Sequence, residues 1–218
     1  MEKKLIGRLH VLTDFYFQQR YAHAELARLV IDGGADTVQF RQKFGSIRHK
    51  LHEARRTAAV CQKAGVPLII DDHLDIALAV EADGVHLGQE DFPVDEARRI
   101  LGPNRIIGAT ATTIEQAVAA WQAGADYIGF GPVFPTASKA NPASVKGLEG
   151  LRAVCEAVPI PVIAIAGITV QRVRPVLEAG AYGIAVMTAI TTAPDPRAAT
   201  AQFRMEIESV RRTLRETR

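Results

Sequence analysis

Short apolar runs rich in β-branched residues alternate with longer amphipathic stretches along the chain. The stretches between the runs carry apolar residues at helical spacing, as at Leu26, Leu29 and Val30. The runs have the length of buried strands and are LHVLTD (9–14), TVQFRQK (37–43), PLIIDD (67–72), GVHLG (84–88), RIIGAT (105–110), YIGFGPV (127–133), PVIAIAG (161–167) and GIAVMTAI (183–190). This pattern predicts eight strands that alternate with helices.

Capping residues mark where several of these helices begin. Ser46 precedes a long helical stretch, Thr113 precedes another, and Asp195 stands directly before a proline. No linker-like segment divides the chain. Strands that alternate with helices form a parallel sheet, and eight such units in 218 residues favour a single closed (β/α)8 TIM barrel over residues 1–218. An open, doubly wound sheet is the structural alternative.

Composition narrows the function classes. The 26 basic and 24 acidic residues leave a formal net charge of +2. This balance does not indicate a protein that binds nucleic acids or membrane surfaces. No apolar run approaches the length of a membrane span, and the first ten residues lack the apolar core of a signal peptide. Cys61 and Cys155 lie in helical stretches and are predicted to be reduced packing residues. We therefore expect a cytoplasmic protein with small-molecule partners.

Two neighbouring apolar runs end in carboxylates. PLIIDD ends at Asp72, and GVHLG continues through QED to Asp91. The carboxyl ends of all strands in a parallel barrel open on one face, so these two side chains should lie side by side. Paired carboxylates need a cation between them or a shared proton, and oxygen ligands with no cluster of His or Cys nearby suit Mg²⁺. Ordinary helix caps or surface acids are the alternative interpretation.

Basic side chains occur at the same predicted rim. Gln39, Arg41 and Lys43 occupy alternating positions that face one way. A long loop rich in Gly, Pro, Ser and Thr follows the sixth run and carries Lys139. The three cations together with Mg²⁺ outweigh the two carboxylates, which suits an organic diphosphate. These residues predict a site that binds and stabilises a departing diphosphate.

A second anion site is predicted across the mouth of the barrel. AIAGIT ends the seventh run and VMTAI ends the eighth, and barrels commonly bind a phosphate monoester in the loops there. Gly167 lets backbone N–H groups approach an oxyanion, and the helix after Thr169 points its N-terminus inward. A diphosphate site beside a monophosphate site favours joining two phosphorylated molecules over isomerising one.

Segments in order along nearly the whole chain resemble the thiamine-phosphate synthase (thiamine phosphate pyrophosphorylase) family. The resemblance implies a barrel that couples 4-amino-2-methyl-5-(diphosphooxymethyl)pyrimidine to 4-methyl-5-(2-phosphooxyethyl)thiazole. The products are thiamine phosphate and diphosphate, Mg²⁺ is required, and a homodimer is compatible with the family. The segments that carry the resemblance are VQFRQK, DDHLDIALAVEADGVHLGQED, IIGATATT, YIGFGPVFPTASK, PVIAIAGI and GIAVMTAI.

The resemblance also implies roles for individual positions. The residues matched to pyrimidine diphosphate binding are Gln39, Arg41, Lys43, Asp71, Thr110 and Lys139. Those expected to assist catalysis are Lys139, Arg41 and Lys43. Those matched to thiazole phosphate binding are Thr136, Ser138, Gly167, Met187 and Thr188. The Mg²⁺ ligands are Asp72 and Asp91. His86, in the middle of the fourth run, is interpreted as a wall residue of the barrel rather than a catalyst.

Four positions depart from the family pattern. Asp71 replaces a typical asparagine and Thr110 a serine, while Gln42 and Ala166 replace a glutamate and a glycine. The main alternative is the sister family of thiazole tautomerases, which generally use a histidine after strand five, where this chain has Thr112. A non-catalytic phosphate-binding barrel is the third hypothesis, and the extra negative charge of Asp71 is its best argument.

Overall fold

The computed structural model describes residues 5–138 and 144–216. Parallel strands close into a barrel in chain order, and the last strand pairs with the first. The strands are β1 (Leu9–Asp14), β2 (Thr37–Arg41), β3 (Leu68–Asp71), β4 (Gly84–Leu87), β5 (Ile106–Ala111), β6 (Tyr127–Phe130), β7 (Val162–Ile165) and β8 (Gly183–Val186). The helices are α1 (His23–Asp32), α2 (Ile47–Ala64), α3 (Leu74–Ala79), α4 (Val94–Leu101), α5 (Ile114–Gln122), α6 (Gly147–Ala157), α7 (Val170–Glu178), α8 (Thr188–Thr191) and α9 (Pro196–Glu216).

The predicted (β/α)8 barrel is confirmed, and the pairing of β8 with β1 excludes the open sheet. Each predicted run coincides with one strand, although most runs extend past the end of that strand. β2 ends at Arg41, so Lys43 lies beyond it, and β6, β7 and β8 end at Phe130, Ile165 and Val186. The expectation that 183–190 is one strand is wrong after Val186, because Thr188–Thr191 turns into the short helix α8.

Helix capping follows the sequence pattern. Ser46 Oγ accepts a hydrogen bond from the N–H of His49 at 3.3 Å, and Thr113 Oγ1 accepts one from Gln116 at 3.3 Å. Asp195 Oδ1 accepts one from the N–H of Ala198 at 3.1 Å. These bonds satisfy backbone donors that have no partner within their own helix, and so fix where α2, α5 and α9 begin.

The barrel wall separates two buried layers. Outward-facing residues such as Val11 and Val38 pack against the helices in the larger cluster. A smaller cluster fills the inside of the barrel, with Leu12, Ile69 and Tyr127 among its members. Within the described ranges, no helix is long and apolar enough to cross a membrane. All eight strands point their carboxyl ends to one face, and the chain segments that leave this rim carry the candidate site.

Candidate active site

An acid pair lies at the rim where β3 and β4 end. Asp72 follows β3, and its side chain is hydrogen-bonded to that of Asp91 from the loop after β4. The backbone N–H of Asp72 donates to the carbonyl of His86 at 2.9 Å, and the N–H of Gly88 donates to Asp91 Oδ2 at 2.6 Å. Asp72 also has a left-handed backbone, with φ of 66°. The structure therefore brings together the two carboxylates that the sequence predicted to be neighbours.

The two carboxyl groups differ in their affinity for a proton. Burial raises the pKa of Asp91, and the charge of Asp72 raises it further against the opposing hydrogen bond from Gly88. Burial also acts to raise the pKa of Asp72, but the hydrogen bond and charge of Lys43 outweigh it and bring that pKa below its ordinary value. Of the two, Asp91 therefore binds a proton more readily, and a cation between the carboxylates can take the place of that proton.

The acid pair has the donor chemistry of a magnesium site. Its ligand atoms are carboxylate oxygens, and within residues 5–138 and 144–216 no group of three or more His, Cys, Asp or Glu side chains could hold a metal. Mg²⁺ typically takes one or two carboxylates from the protein and completes its shell with water and substrate phosphate. Asp72 and Asp91 therefore fit a magnesium ion that would share its remaining positions with a phosphorylated substrate.

Asp71 lies beneath the acid pair at the end of β3. Its side chain is buried, and Oδ1 has no hydrogen-bond partner among the described residues. Burial raises the pKa of Asp71 well above its ordinary value, and the charge of Asp72 adds to the rise. Burial therefore favours the neutral form of this carboxyl group, which lessens the negative charge beside a bound anion.

The two described basic residues of the predicted diphosphate site both contact acids. Lys43 Nζ lies 2.6 Å from Asp72 Oδ2, and the lysine side chain is half exposed. Arg41 NH1 is paired with Oδ2 of Asp14, whose side chain is only 1% exposed. Asp14 also accepts hydrogen bonds from the N–H groups of Tyr16 and Phe17 at 2.7 and 3.2 Å. Lys139, the third predicted cation, lies outside the described residues.

Asp14 is a rim residue that the sequence analysis missed. The signal was available, because LHVLTD ends in a carboxylate just as PLIIDD does. Asp14 holds Arg41 by charge-assisted hydrogen bonding, which fixes the guanidinium on the barrel rim. The paired backbone register of Asp14 with Arg41 across β1 and β2 explains why the two meet.

A row of polar side chains crosses the inside of the barrel below the rim. Gln39 Nε2 lies 2.9 Å from His10 Nδ1 and 3.3 Å from the hydroxyl of Tyr127. The same hydroxyl lies 3.0 Å from His86 Nδ1, and His86 Nε2 lies 2.9 Å from Thr110 Oγ1. Burial lowers the pKa of both His10 and His86 to about 4, so both imidazoles are neutral at pH 7. Thr110 and Gln39, predicted to meet the substrate, thus share one network with His86.

Three hydroxyl residues meet at the opposite side of the rim. Ser138 Oγ lies 3.0 Å from Thr188 Oγ1, and the N–H of Ser138 donates to Thr136 Oγ1 at 3.2 Å. These contacts join the loop after β6 to the start of α8. Met187 stands at the N-cap position of α8, directly before Thr188. The arrangement gathers hydroxyl groups where the sequence predicted a phosphate monoester.

Gly167 completes this second group in the loop after β7. Its φ is 66°, and a Cβ there would lie 2.6 Å from the carbonyl oxygen of Pro135 and 2.7 Å from Phe134 Cβ. Glycine is therefore required both by backbone conformation and by the close approach of the loop after β6. Ala166 also has a positive φ of 81°, and its carbonyl accepts from the N–H of Phe134 at 3.2 Å.

Comparison with known proteins gives a consistent result. The model of a family described as thiamine monophosphate synthase matches residues 9–190. A thiamine-phosphate synthase of Salinibacter ruber is 66% identical over 96% of this chain and 92% of its own length. One of Chloroflexus aurantiacus is 45% identical over 90% of this chain and 91% of its own.

Solved structures agree with the sequence comparisons. The thiamine phosphate pyrophosphorylase from Pyrococcus furiosus superposes with a TM-score of 0.85 at 41% identity, covering 93% of this chain and 96% of that one. A 3-hexulose-6-phosphate synthase has a TM-score of 0.67 at 22% identity, which shows a shared barrel fold alone.

Proposed function

The chain belongs to the thiamine monophosphate synthase family, and we propose that it joins a pyrimidine diphosphate to a thiazole phosphate. The substrates are 4-amino-2-methyl-5-(diphosphooxymethyl)pyrimidine and 4-methyl-5-(2-phosphooxyethyl)thiazole, and the products are thiamine phosphate and diphosphate. The observation that carries this proposal is the composition of one rim. An acid pair with adjacent cations lies on one side, and the contact between Ser138 and Thr188 lies on the other.

The first half-site suits the leaving diphosphate. Mg²⁺ bound by Asp72 and Asp91 would supply positive charge to the diphosphate as it departs. Arg41 and Lys43 add fixed cations on the same side, and we assign Lys139 the same role. These groups favour breaking of the C–O bond because negative charge on the diphosphate grows as that bond breaks. The electron-rich aminopyrimidine assists by spreading the positive charge left on its methylene carbon.

The second half-site suits the attacking molecule. Thr136, Ser138 and Thr188 offer hydroxyl groups, and the loop of Gly167 offers backbone donors to the phosphate of the thiazole. Met187 stands directly before Thr188, at the N-cap position of α8. Holding the phosphate there brings the ring nitrogen close to the methylene carbon, and proximity alone lowers the barrier of a two-substrate reaction substantially. The reaction requires no protein nucleophile, and no triad is needed.

The unusual acid at position 71 is compatible with this reaction. Asp71 is buried, and its pKa is raised well above the ordinary value by burial and then by Asp72. A neutral carboxylic acid has one O–H donor and one carbonyl acceptor, so it resembles the amide of the typical asparagine in shape and charge. We therefore assign Asp71 a contact to the pyrimidine diphosphate rather than a repulsive role.

The thiazole tautomerase reaction finds no support in the local geometry. That reaction needs an acid–base group after β5, and the position holds Thr112. Its hydroxyl and its backbone N–H donate to Gln116 Oε1 at 3.0 and 2.8 Å. A threonine hydroxyl engaged in this way does not take up a proton near pH 7.

We also propose that the enzyme works in the cytoplasm and as a homodimer. Its substrates are small phosphorylated metabolites, in keeping with a cytoplasmic reaction. Tyr16 and Phe44 are exposed aromatic residues with ring centroids 5.1 Å apart, and such exposed apolar surface is typical of protein contacts. Light scattering of the purified protein tests the assembly.

An end-point assay tests the proposed function. The protein is mixed with the two substrates and Mg²⁺, and thiamine phosphate is detected by fluorescence after oxidation to thiochrome. Reactions that lack one substrate, or that contain EDTA, serve as controls. Product that needs both substrates and the metal supports the proposal. Well-folded protein that makes no product, or that converts only the thiazole tautomer, would contradict it.

A further inference from the structure

The hydrogen bonds of the polar row inside the barrel all run in one donor-to-acceptor order, and a backbone carbonyl at one end sets that order. His10 Nε2 lies 3.1 Å from the carbonyl oxygen of Gly7, which can only accept, so Nε2 carries the hydrogen. His10 is neutral, because its burial lowers its pKa to about 4. Nδ1 is therefore bare, and it accepts from the amide N–H of Gln39. A flipped Gln39 amide would require a doubly protonated, buried His10.

The orientation of the Gln39 amide in turn fixes the hydrogen bonding of Tyr127. The second N–H of the Gln39 amide points to the tyrosine hydroxyl at 3.3 Å, so that oxygen accepts. Tyr127 is completely buried. Among the described residues, its hydroxyl oxygen has one further partner, Nδ1 of His86 at 3.0 Å. The hydroxyl hydrogen must go there, since a buried O–H without an acceptor is costly.

The tautomer of His86 follows from this direction. Because Nδ1 accepts from Tyr127, the hydrogen of the neutral ring is on Nε2. Nε2 lies 2.9 Å from Thr110 Oγ1 and donates to it. The opposite tautomer would draw the Thr110 hydroxyl hydrogen towards His86. With the Nε2–H tautomer that hydrogen points away from the ring and is available to an acceptor at the mouth of the barrel.

We propose that Tyr127 is a positioning residue for the synthase reaction. Together with His10 and Gln39 it holds His86 in the Nε2–H tautomer, and His86 in turn directs the Thr110 hydroxyl hydrogen to an acceptor atom of the pyrimidine diphosphate. This inference rests on the proposed function for the identity of the substrate. The donor and acceptor roles in the hydrogen-bonded row from Gly7 to Thr110 do not depend on the substrate.

The role matters because a hydroxyl group can present either a hydrogen or a lone pair. A substrate acceptor that meets a lone pair loses a hydrogen bond and gains a repulsive contact. Fixing the donor before the substrate arrives removes the cost of reorienting the hydroxyl during the reaction. The hydrogen-bonded row thus connects Tyr127, at the start of β6, to the pyrimidine end of the site.

Nitrogen NMR of the histidine rings tests the direction directly. Two-bond proton–nitrogen correlation spectra of wild-type protein at pH 7.5 distinguish the protonated ring nitrogen from the bare one. We expect both His10 and His86 as the Nε2–H tautomer, and we expect Tyr127→Phe to shift His86 towards a mixture. A wild-type His86 that carries its hydrogen on Nδ1, or on both nitrogens, would overturn the inference whatever the variants do.

Kinetics test the consequence for the reaction. Loss of one hydrogen bond of ordinary strength corresponds to a fall in kcat of about threefold to tenfold for Tyr127→Phe. The KM for the thiazole phosphate should stay within about twofold, since that substrate lies on the other side of the rim. Tyr182→Phe is the matched control. It removes a hydroxyl that donates to the carbonyl of Ile6 at 3.1 Å and is not part of the hydrogen-bonded row.

A double-variant cycle separates positioning from general loosening of the fold. In a Thr110→Val background the hydroxyl is already absent, so Tyr127→Phe should have little further effect on kcat. Fully independent losses for the two variants would contradict the inference. If the wild-type protein made no thiamine phosphate, the proposed function would fail on its own, and the wild-type spectrum would still uphold or overturn the tautomer of His86.

Discussion

Lys43 Nζ lies 2.6 Å from Oδ2 of Asp72, so the cation predicted to hold the diphosphate is paired with the acid predicted to hold the metal. The ammonium group and a metal ion compete for the same carboxylate. A metal on the acid pair would free Lys43 to turn towards the phosphate oxygens that arrive with the substrate. The ion pair thus offsets the charge of Asp72 until both the metal and the diphosphate are present.

Replacing Lys43 tests this competition. Lys43→Met should tighten binding of Mg²⁺ alone roughly two- to fivefold, the range expected for loss of a partly exposed ion pair. It should raise the KM for the pyrimidine diphosphate by about tenfold or more, because charge-assisted hydrogen bonds to phosphate are strong. Calorimetry measures the first effect and initial rates the second.

The matched control for Lys43 is Lys63, an exposed lysine in the last turn of α2. Lys63→Met should change neither quantity. Weaker binding of Mg²⁺ by Lys43→Met, with Lys63→Met unchanged, would show that the lysine does not compete with the metal.

Gly167 tests the thiazole phosphate side of the rim. A Cβ at this position would come within 2.6 Å of Pro135 O, so Gly167→Ala must push the loop after β6 away from the loop after β7. We expect the KM for the thiazole phosphate to rise by about tenfold or more, with a much smaller change for the pyrimidine diphosphate. Initial rates with each substrate varied in turn measure the difference.

Gly65 provides the control for backbone strain without a clash. Its φ is 69°, close to that of Gly167, and a Cβ there meets no atom within 4 Å. Gly65→Ala should lower the free energy of unfolding by about 1 kcal/mol through its left-handed conformation, without changing either KM. If Gly65→Ala and Gly167→Ala raised the KM for the thiazole phosphate equally, the loop after β7 would not be the phosphate-binding loop.

Buried histidines predict that the fold weakens in mild acid. The pKa of His10 and of His23 falls from 6.5 to about 4 on folding, in each case because of burial. Their contribution to stability is therefore complete above pH 6.5 and is lost as the pH falls towards 4, because the unfolded chain takes up the protons first. Each histidine accounts for up to about 3 kcal/mol over this window.

Denaturant unfolding at several pH values measures this decline. His23 packs against Phe40 with ring centroids 4.4 Å apart, and its Nδ1 lies 2.8 Å from Thr13 Oγ1. His23→Phe should make the free energy of unfolding less dependent on pH between 6.5 and 4. A wild-type free energy that is constant over this window would contradict the burial argument.

Much of the fold was predictable because each strand and helix has its own period in the sequence. The strand at 9–14 was predicted to the residue, and Ser46 and Thr113 cap the helices that they precede. The eighth run was misjudged at its end because MTAI is as apolar as a strand, although Thr188–Thr191 forms a helical turn. Apolar character alone does not distinguish the two for so short a segment.

The candidate site was predictable only as a set of residue types at one rim. The pairing of Arg41 with Asp14, and that of Lys43 with Asp72, depends on side-chain choices among several oppositely charged neighbours. The contact of Gln39 with Tyr127 joins β2 to β6 across the inside of the barrel. The two residues are far apart in sequence, and no local pattern predicts that they meet. Such contacts follow from closure of the barrel.

The metal role of the acid pair is tested most directly by the rate of thiamine phosphate formation as the Mg²⁺ concentration is varied, for wild type and Asp72→Asn. Asparagine keeps the shape of the side chain and tolerates the positive φ of 66°. We predict that the wild-type rate rises with Mg²⁺ and disappears in EDTA, and that Asp72→Asn needs about tenfold more metal or more. The exposed Asp75, replaced by Asn, should behave as wild type. A rate that persists in EDTA, or an unchanged metal requirement in Asp72→Asn, would contradict the acid pair as the metal site.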